Sequence, residues 1–175
     1  TDDRLKTTAQ FESWDKYSLN QKSGYFRQFS RNVLQMNNGN GTFSEISRLA
    51  GVPATDWSWG ALIFDMDNDG LKDIFVANGI YKELLNQDYI NFASNPELME
   101  DIRRKKKGVI LQLIDSIPST PLGNYSFQNV GNLSFANTSD AWGLGQPTYS
   151  NGSAYGDLDN DGDLDLVLNN VNMPS

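Results

Sequence analysis

The 175-residue chain contains neither cysteine nor histidine. Without cysteine there are no disulfide bonds from which a cellular compartment could be assigned. The lack of histidine removes the commonest general base and transition-metal ligand. No run of about 18 apolar residues is present, so no membrane-spanning helix is predicted. No signal peptide is visible and the chain begins at Thr1, so we expect a mature chain or an excerpt, either of which is compatible with a removed export signal.

Positive charge is scarce, with 14 Lys and Arg against 22 Asp and Glu, which gives a formal net charge of -8. Nucleic-acid-binding surfaces are expected to be basic, so no nucleic-acid partner is predicted. The negative charge is concentrated in two short segments, 65–73 and 157–165. These segments contain nine of the 22 acidic residues, namely Asp65, Asp67, Asp69, Asp73, Asp157, Asp159, Asp161, Asp163 and Asp165.

Both acidic segments have the pattern D-x-D-x-D-G-x-x-D, and Asp157 follows Asp65 at an offset of 92 residues. Carboxylates this close together repel one another unless a hard cation lies among them, and Ca²⁺ binds six to eight oxygens at roughly 2.3–2.6 Å. Glycine at the sixth position permits the sharp bend that turns successive oxygens inward. We predict two Ca²⁺ sites, with carboxylates at positions 1, 3, 5 and 9 and the backbone carbonyl at position 7 as ligands. The predicted ligands are Asp65, Asp67, Asp69, Leu71 and Asp73 in one site and Asp157, Asp159, Asp161, Asp163 and Asp165 in the other.

Two other interpretations of these segments were considered. Asp, Asn and Gly also favour ordinary turns that bind no metal. An EF-hand requires a bidentate Glu at position 12, where this chain has Val76 and Leu168. The EF-hand is therefore excluded, and the apolar residues after each segment predict a buried strand rather than an exiting helix.

The offset of 92 residues extends beyond the acidic segments, without a gap, over 32–79 and 124–171. It pairs Asn37 with Asn129, Gly39 with Gly131, Phe43 with Phe135, Gly51 with Gly143, Ser58 with Ser150, Gly60 with Gly152 and Asn78 with Asn170. A repeat at a fixed offset indicates a modular architecture. Alternating residues and turn signals predict strands at 33–37, 41–47, 57–64, 72–78, 125–129, 133–138, 150–156 and 164–170, and hence an all-β assembly.

The segments outside the repeat differ in composition. Residues 80–123 are richer in Leu, Glu, Lys and Gln and predict a helical insert, with Asn95-Pro96 as a helix start. The basic run 103–107 is interpreted as a solvated helix face, with a patch for phosphate or an anionic surface as the alternative. Residues 1–31 are rich in aromatic residues, for which we predict a packing role and a strand at 25–29. The predicted division is thus an N-terminal segment, 1–31; a first repeat unit, 32–79; the insert, 80–123; and a second repeat unit, 124–175.

The motif Asn-Asn-Gly-Asn-Gly-Thr-Phe at 37–43, followed by the acidic segment and Asp-Ile-Phe-Val-Ala-Asn at 73–78, resembles the FG-GAP/VCBS repeat of integrin-α-like β-propellers. Residues 156–167 resemble it at least as well. The chain is most similar to the cartilage-acidic-protein-like, ASPIC/UnbV-associated group of bacterial surface proteins. The resemblance implies all-β propeller blades, as a partial arc of a seven-bladed propeller with an inserted helical segment. Residues 33–47 would close one blade, 57–138 would form a complete blade, and 150–170 would open the next, within a longer polypeptide.

The implied function is that of a calcium-binding structural and binding scaffold in a secreted or outer-membrane-associated bacterial protein. Its partner, a protein or a glycan, is not identified by the sequence, and the length of the insert favours the insert as the docking segment. The alternative is part of a polysaccharide-acting enzyme or of an outer-membrane glycan-uptake complex. No catalytic residue is predicted, because every loop Asp is assigned as a ligand and Glu45, Glu83, Glu97 and Glu100 are scattered.

Overall fold

A computed structural model describes residues 14–26 and 31–174. The chain divides into two compact units, one made of Arg31–Tyr81 with Thr120–Ser175 and the other of Thr1–Ser30 with Lys82–Ser119. The first of these, which we call the sheet unit, contains all the strands found in the described residues. The second, which we call the helical unit, contains residues 82–119 of the predicted insert.

The sheet unit contains ten strands and one short helix. The strands are β1 (Gln35–Asn37), β2 (Phe43–Glu45), β3 (Ser58–Phe64), β4 (Asp73–Asn78), β5 (Leu122–Gly123), β6 (Tyr125–Asn129), β7 (Phe135–Asn137), β8 (Pro147–Thr148), β9 (Ser150–Gly156) and β10 (Asp165–Asn170), and the helix is α2 (Ser47–Ala50). The eight predicted strands are all present, some of them one to two residues shorter at an end. The two-residue strands β5 and β8, which pair with each other, were not predicted.

Strands β3, β4, β6 and β7 form one antiparallel sheet in that order, although the insert separates β4 from β6 in sequence. The register pairs Ile63 with Ile74 and Ile74 with Phe127. An isolated bridge between Ile80 and Thr120 closes the base of the insert, so β4 and β6 pair as if a hairpin joined them. The strands of 57–138 therefore form one four-stranded antiparallel sheet, and its assignment as a propeller blade stays a prediction. Two further antiparallel hairpins, β1–β2 and β9–β10, precede and follow the sheet.

Strand β4 is buried along its whole length, from Asp73 to Asn78. Because side chains alternate between the two faces of a strand, its apolar residues enter two separate clusters. Ile74 and Val76 pack with Ala50, Val52 and Phe127, against which Leu34 and Ile46 also lie. Phe75 and Ala77 pack with Phe64, and with the partly buried Leu166 and Leu168 of β10. The central sheet therefore has an apolar layer on each face, and the β9–β10 hairpin covers one of them.

The helical unit contains α1 (Trp14–Lys22), α3 (Gln87–Ala93), α4 (Pro96–Arg103) and α5 (Val109–Asp115). The predicted start at Asn95-Pro96 is confirmed, since the Asn95 side chain accepts from the backbone N–H of Glu97 at 2.9 Å and Pro96 takes the first position. Arg103 and Arg104 both pair with Glu100. Both arginine side chains are largely exposed, so this part of the run is solvated. The predicted helix face is wrong, because only Arg103 belongs to α4 and residues 104–107 lie in the turn before α5. No helix in the described residues is long and apolar enough to cross a membrane.

The N-terminal segment differs from the prediction. Helix α1 was not predicted, and its weak amphipathic pattern explains why. Tyr25 and Phe26, the first residues of the predicted strand 25–29, have no strand conformation. Residues 27–30 lie outside the described residues.

Candidate metal centre

The first acidic loop joins β3 to β4. One carboxylate oxygen from each of Asp65, Asp67 and Asp73 lies within 4.8 Å of the others. The bend uses two left-handed residues, Asn68 with a φ of 60° and Gly70 with a φ of 87°. Asn and Gly are the residues that adopt this conformation at least cost. The sequence Asp-Asn-Asp-Gly thus turns three carboxylates toward a common point.

The second acidic loop joins β9 to β10 and has the same geometry. Asp157, Asp159 and Asp165 bring one carboxylate oxygen each within 4.8 Å of the others. Asn160 has a φ of 65° and Gly162 a φ of 95°. The two loops differ in burial, because Asp73 at the start of β4 is fully buried whereas Asp165 is exposed.

Backbone N–H groups orient the first carboxylate of each loop in the same way. Asp65 accepts from the N–H of Asp69 at 3.1 Å and from that of Gly70 at 2.9 Å. In the second loop Asp157 accepts from the N–H groups at the equivalent positions, Asp161 and Gly162, both at 3.1 Å. Each of these carboxylates is therefore held by both of its oxygens.

The last carboxylate of each loop is also held by a matching bond. Asp73 accepts from the N–H of Met66, and Asp165 accepts from the N–H of Leu158, both at 2.9 Å. The equivalence of the hydrogen bonds shows that sequence segments 92 residues apart have folded into one loop type. The two segments therefore share a backbone conformation as well as a composition.

The fit of Ca²⁺ to these groups can be tested from distances and donor chemistry. Two oxygens bound to one Ca²⁺ at roughly 2.3–2.6 Å can be no more than about 5 Å apart. Oxygens within 4.8 Å of one another meet this limit. The donors are carboxylate oxygens, which suit hard cations such as Ca²⁺ rather than softer transition metals. The three-carboxylate groups therefore fit Ca²⁺.

The remaining predicted ligands lie in the loops but outside these two groups. Asp69 accepts from the N–H of Leu71 at 2.7 Å, and Asp161 accepts from the N–H of Asp163 at 2.9 Å. The carboxylate of Asp163 accepts from the side-chain amide of Asn68 at 2.9 Å. Ligation by Asp69 and Asp161, and by the carbonyls of Leu71 and Asp163, stays a prediction.

Two residues of β6 support the first loop and were not foreseen. Gln128 donates from Nε2 to Asp67 Oδ2 at 2.6 Å. Asn129 donates from its backbone N–H to Asp73 Oδ1 at 2.8 Å and from Nδ2 to the carbonyl of Lys72 at 3.0 Å. The buried Asp73 carboxylate is thus satisfied at both oxygens, as a buried charge requires. The pairing of Asn129 with Asn37 in the repeat is the signal that could have drawn attention to Asn129.

Comparison with known protein families bears on this loop and the strands around it. Residues 15–76 match the model of an FG-GAP-like repeat. The match supports an FG-GAP repeat. It runs through β1, β2 and β3 to residue 76 within β4 and includes Asp65, Asp67 and Asp73, so the first three-carboxylate group lies inside the matched FG-GAP-like segment. The second loop lies outside the matched residues, and its likeness is carried by the repeat and by the equivalent hydrogen bonds. No curated protein matches the chain.

Proposed function

We propose that this chain is a calcium-binding FG-GAP/VCBS repeat module that acts as a structural and binding scaffold. The observation that carries the proposal is the two-fold occurrence of one loop, with three carboxylates around a common point and the same backbone hydrogen bonds. Four predicted carboxylate ligands per loop would otherwise repel one another. Two bound Ca²⁺ ions would bring the formal charge from -8 to -4.

Each residue group has a distinct task in this proposal. Asp65, Asp67 and Asp73 hold the ion in the first loop, and Asp157, Asp159 and Asp165 hold it in the second. The bound ion supplies positive charge that cancels the repulsion among the carboxylates. Because these ligands come together only in the folded chain, binding free energy becomes folding free energy. The loops join β3 to β4 and β9 to β10, so occupancy stabilises two strand pairs.

We further propose that the sheet unit is an arc of propeller blades within a longer polypeptide. The support is the layering, in which a complete four-stranded sheet has apolar residues on both faces. The seven-bladed ring and the ASPIC/UnbV-associated group belong to this proposal. So does a location on the bacterial surface or outside the cell, where calcium modules commonly bind at about 10⁻⁴–10⁻³ M. The module itself is proposed to be non-catalytic, with its loop carboxylates used as ligands.

Thermal unfolding tests the structural role of calcium. We expect Ca²⁺ at about 100 times its Kd to stabilise the chain by about 2.7 kcal/mol per site relative to excess chelator. Asp67→Asn and Asp159→Asn should each remove at least the stabilisation contributed by one site, and the double variant should remove that of both sites. Asp115→Asn in helix α5 makes the same charge change outside the loops and is the matched control.

Calorimetric titration of the same variants gives the stoichiometry. Two sites are expected in the unaltered chain and one in each single variant, with Mg²⁺ as the competing ion. A melting midpoint that is the same in Ca²⁺ and in chelator would refute the structural role. Loss of binding in Asp115→Asn as well would show that the sites are not in the loops.

A further inference from the structure

Two strand edges of the sheet unit lie open among the described residues. In this part of the chain β1 pairs only with β2, and β10 pairs only with β9. In the central sheet their repeat equivalents meet, because β6 is the equivalent of β1, β4 is the equivalent of β10, and β4 pairs with β6. The β9–β10 hairpin thus corresponds to the first half of a four-stranded sheet, and the β1–β2 hairpin to the last half of another.

The second acidic loop lacks the support that the first loop receives from β6. In the first loop Asn129 donates from its backbone N–H to Asp73 Oδ1 at 2.8 Å and from Nδ2 to the carbonyl of Lys72 at 3.0 Å. In the second loop the equivalent carboxylate, that of Asp165, is exposed. Among the described residues it accepts one hydrogen bond, from the N–H of Leu158 to Oδ2. Oδ1 of Asp165 is therefore open to a donor.

Asn37 of β1 has the donors that this place requires. It is the repeat equivalent of Asn129, and both side chains are held alike, since Oδ1 of each accepts from the N–H two residues further on, at 2.8 and 3.0 Å. The N–H of Asn38 bonds to the carbonyl of Thr42 on the β2 side. Because successive N–H groups of a strand point to opposite sides, the N–H of Asn37 points to the open edge. Its Nδ2 has no acceptor among the described residues.

The two open edges of one sheet unit cannot meet each other. The β1–β2 hairpin packs through Leu34 on one face of the central sheet, whereas the β9–β10 hairpin packs through Leu166 on the other face. Packed sheets lie about 10 Å apart, so the two edges are separated by on the order of 20 Å. The pairing therefore requires a β1-type strand from outside this sheet unit.

An exposed apolar surface lies beside each open edge. Val167 of β10 and Ile63 of β3 are each about half exposed. Ile63 lines an apolar pocket of about 210 Å³ that is also lined by Ile74 of β4 and by Leu34, next to β1. Burial of these side chains against each other would remove apolar area from water on both sides.

The packing of the β9–β10 hairpin on the central sheet shows how these surfaces would meet. Phe75 of the central sheet belongs to the cluster against which Leu166 of the hairpin packs. The repeat equivalents of these two residues are Val167 and Ile74. The same step from one sheet to the next, made between two chains, places Val167 of one copy on the Ile74 face of the other, at the apolar pocket.

We propose, on the basis of the blade arrangement proposed above, that copies of this chain associate head to tail, with the β1–β2 hairpin of one copy completing the sheet of β9 and β10 in another. The register of β4 with β6 sets the new register, in which Val167 lies opposite Leu34. Asn37 of one copy then donates to Asp165 and to the carbonyl of Leu164 in the other. The second acidic loop is thereby completed by a residue of a second copy.

The composite sheet differs from the central sheet in one contact and is limited in area. Met36 is the equivalent of Gln128, so Asp159 gains no side-chain donor. A small interface of this kind gives weak association, for which we expect a Kd on the order of 10⁻⁴ M. At low micromolar concentration the chain is then a monomer. Because the two joined surfaces differ, each added copy leaves a free edge until a ring closes.

Sedimentation equilibrium in Ca²⁺ tests the association. The average mass should rise above the 19.5 kDa of one chain between about 5 and 500 µM, a range that brackets the expected Kd. Val167→Asp places a charge at the apolar pocket and should keep the chain monomeric. Ile110→Asp makes the same kind of change at an exposed residue of α5 and should leave the association unaltered.

The role of Asn37 is tested by Asn37→Asp. An aspartate keeps the acceptor of its own turn but replaces Nδ2 by an oxygen that faces Asp165. We expect association to weaken about tenfold. Asn40→Asp is the matched control, because it adds the same charge in the same turn and keeps its acceptor for Thr42. Equal melting midpoints in dilute solution would show that both variants fold.

Disulfide trapping tests the register, since the chain has no cysteine of its own. The pairing of Phe75 with Ser126 corresponds to Val167 opposite Leu34. A mixture of Val167→Cys and Leu34→Cys copies should form linked pairs, because Cβ atoms directly opposite lie about 4.5–5.5 Å apart. Met36→Cys lies two residues further along the same side of the strand and should link to Val167→Cys roughly tenfold less.

A mass that stays that of the monomer up to about 500 µM would overturn the proposal, as would equal effects of Val167→Asp and Ile110→Asp. Linking of Val167→Cys copies to each other, in place of the Leu34→Cys pair, would assign the edge to symmetric pairing of two β10 strands and would also overturn it. A monomer that still gains stability in Ca²⁺ would remove the association and leave the proposed function standing. Association without any effect of Ca²⁺ on stability would do the reverse.

Discussion

Hydrogen bonds and one ion pair hold the carboxylate of Glu45 in its charged form. Its Oε1 accepts from the backbone N–H of Ser47 at 2.8 Å, and Arg31 lies 2.7 Å from Oε2. The Ser47 side chain, then its backbone N–H, then Arg31 lower the pKa of Glu45 to about 2. In the unfolded chain the same carboxyl has a pKa of about 4.3.

The lowered pKa of Glu45 predicts a defined loss of stability in acid. Above about pH 4.3 both states are ionised and the stabilisation is fully present. As the pH falls toward about 2, the unfolded state binds a proton that the folded state does not, so the stabilisation is progressively lost. Carbon-13 NMR of the Glu45 carboxyl should show a midpoint near 2, and Arg31→Met should raise it. A midpoint near the unfolded value in the unaltered chain would contradict the bonds described here.

At the scale of single residues, spacing alone predicted which loops bring several carboxylates together, because D-x-D-x-D-G-x-x-D constrains a short loop locally. The supporting residues were not predicted. Gln128 and Asn129 reach the loop only because β6 pairs with β4 across the insert, and that register is a non-local property.

At the scale of elements, the two acidic loops are joined directly. Asn68 of the first loop donates from Nδ2 to Asp163 Oδ1 of the second at 2.9 Å. Asn68 lies at the left-handed bend of its loop, so an ion that orders this bend also orders the donor to the other loop. Ordering shared in this way makes the second binding event easier than the first.

We therefore predict positive coupling between the two proposed calcium sites. One hydrogen bond of about 0.5–1.5 kcal/mol corresponds to roughly two- to tenfold in affinity. Disabling the second loop with Asp159→Asn should weaken Ca²⁺ binding at the first loop by this factor, followed at the amide of Gly70. In an Asn68→Gly background, which keeps the left-handed bend, Asp159→Asn should have no effect on the first loop.

The equivalent change in the second loop, Asn160→Gly, is the matched control for Asn68→Gly. It alters the same position of the same loop type but leaves the bond between Asn68 and Asp163 in place. The coupling should therefore survive in Asn160→Gly. If Asp159→Asn changes the Ca²⁺ affinity of the first loop equally with and without the Asn68 side chain, the Asn68–Asp163 bond does not couple the two loops.

The elements themselves were largely predictable from the sequence, for a physical reason. Strands with period-two alternation and Asn-Gly turns are specified locally, as are the Asn95 cap and Pro96 of α4. The elements that were missed depend on tertiary contacts. Strands β5 and β8 have two residues each and form only by pairing with each other. The four-residue helix α2 ends at Gly51 in a left-handed conformation, and an ordinary turn would have the same sequence signal.

At the scale of the sheet unit, β4 and β10 hold equivalent positions in the two repeats but differ in burial. Phe75 of β4 is fully buried, whereas Val167, its equivalent in β10, is 49% exposed. Leu166 and Leu168 of β10 pack against the central sheet, so by alternation Val167 lies on the opposite face. In β4 the equivalent face carries Phe75 and is covered by the β9–β10 hairpin. The proposed longer propeller would place a further sheet on it.

This difference gives the last prediction, which concerns the free energy of unfolding in urea. Phe75→Ala should cost about 3–5 kcal/mol in the 175-residue chain, and Val167→Ala should cost less than about 0.5 kcal/mol, as at an exposed site. In a longer polypeptide with a following repeat, Val167→Ala should cost roughly 1.5 kcal/mol, at about 0.8 kcal/mol per buried methylene-sized group. The cost of Phe75→Ala should stay the same there, since its layer is already complete. An unchanged cost of Val167→Ala in the longer polypeptide would mean that no sheet packs on this face, and the arc would then end at β10.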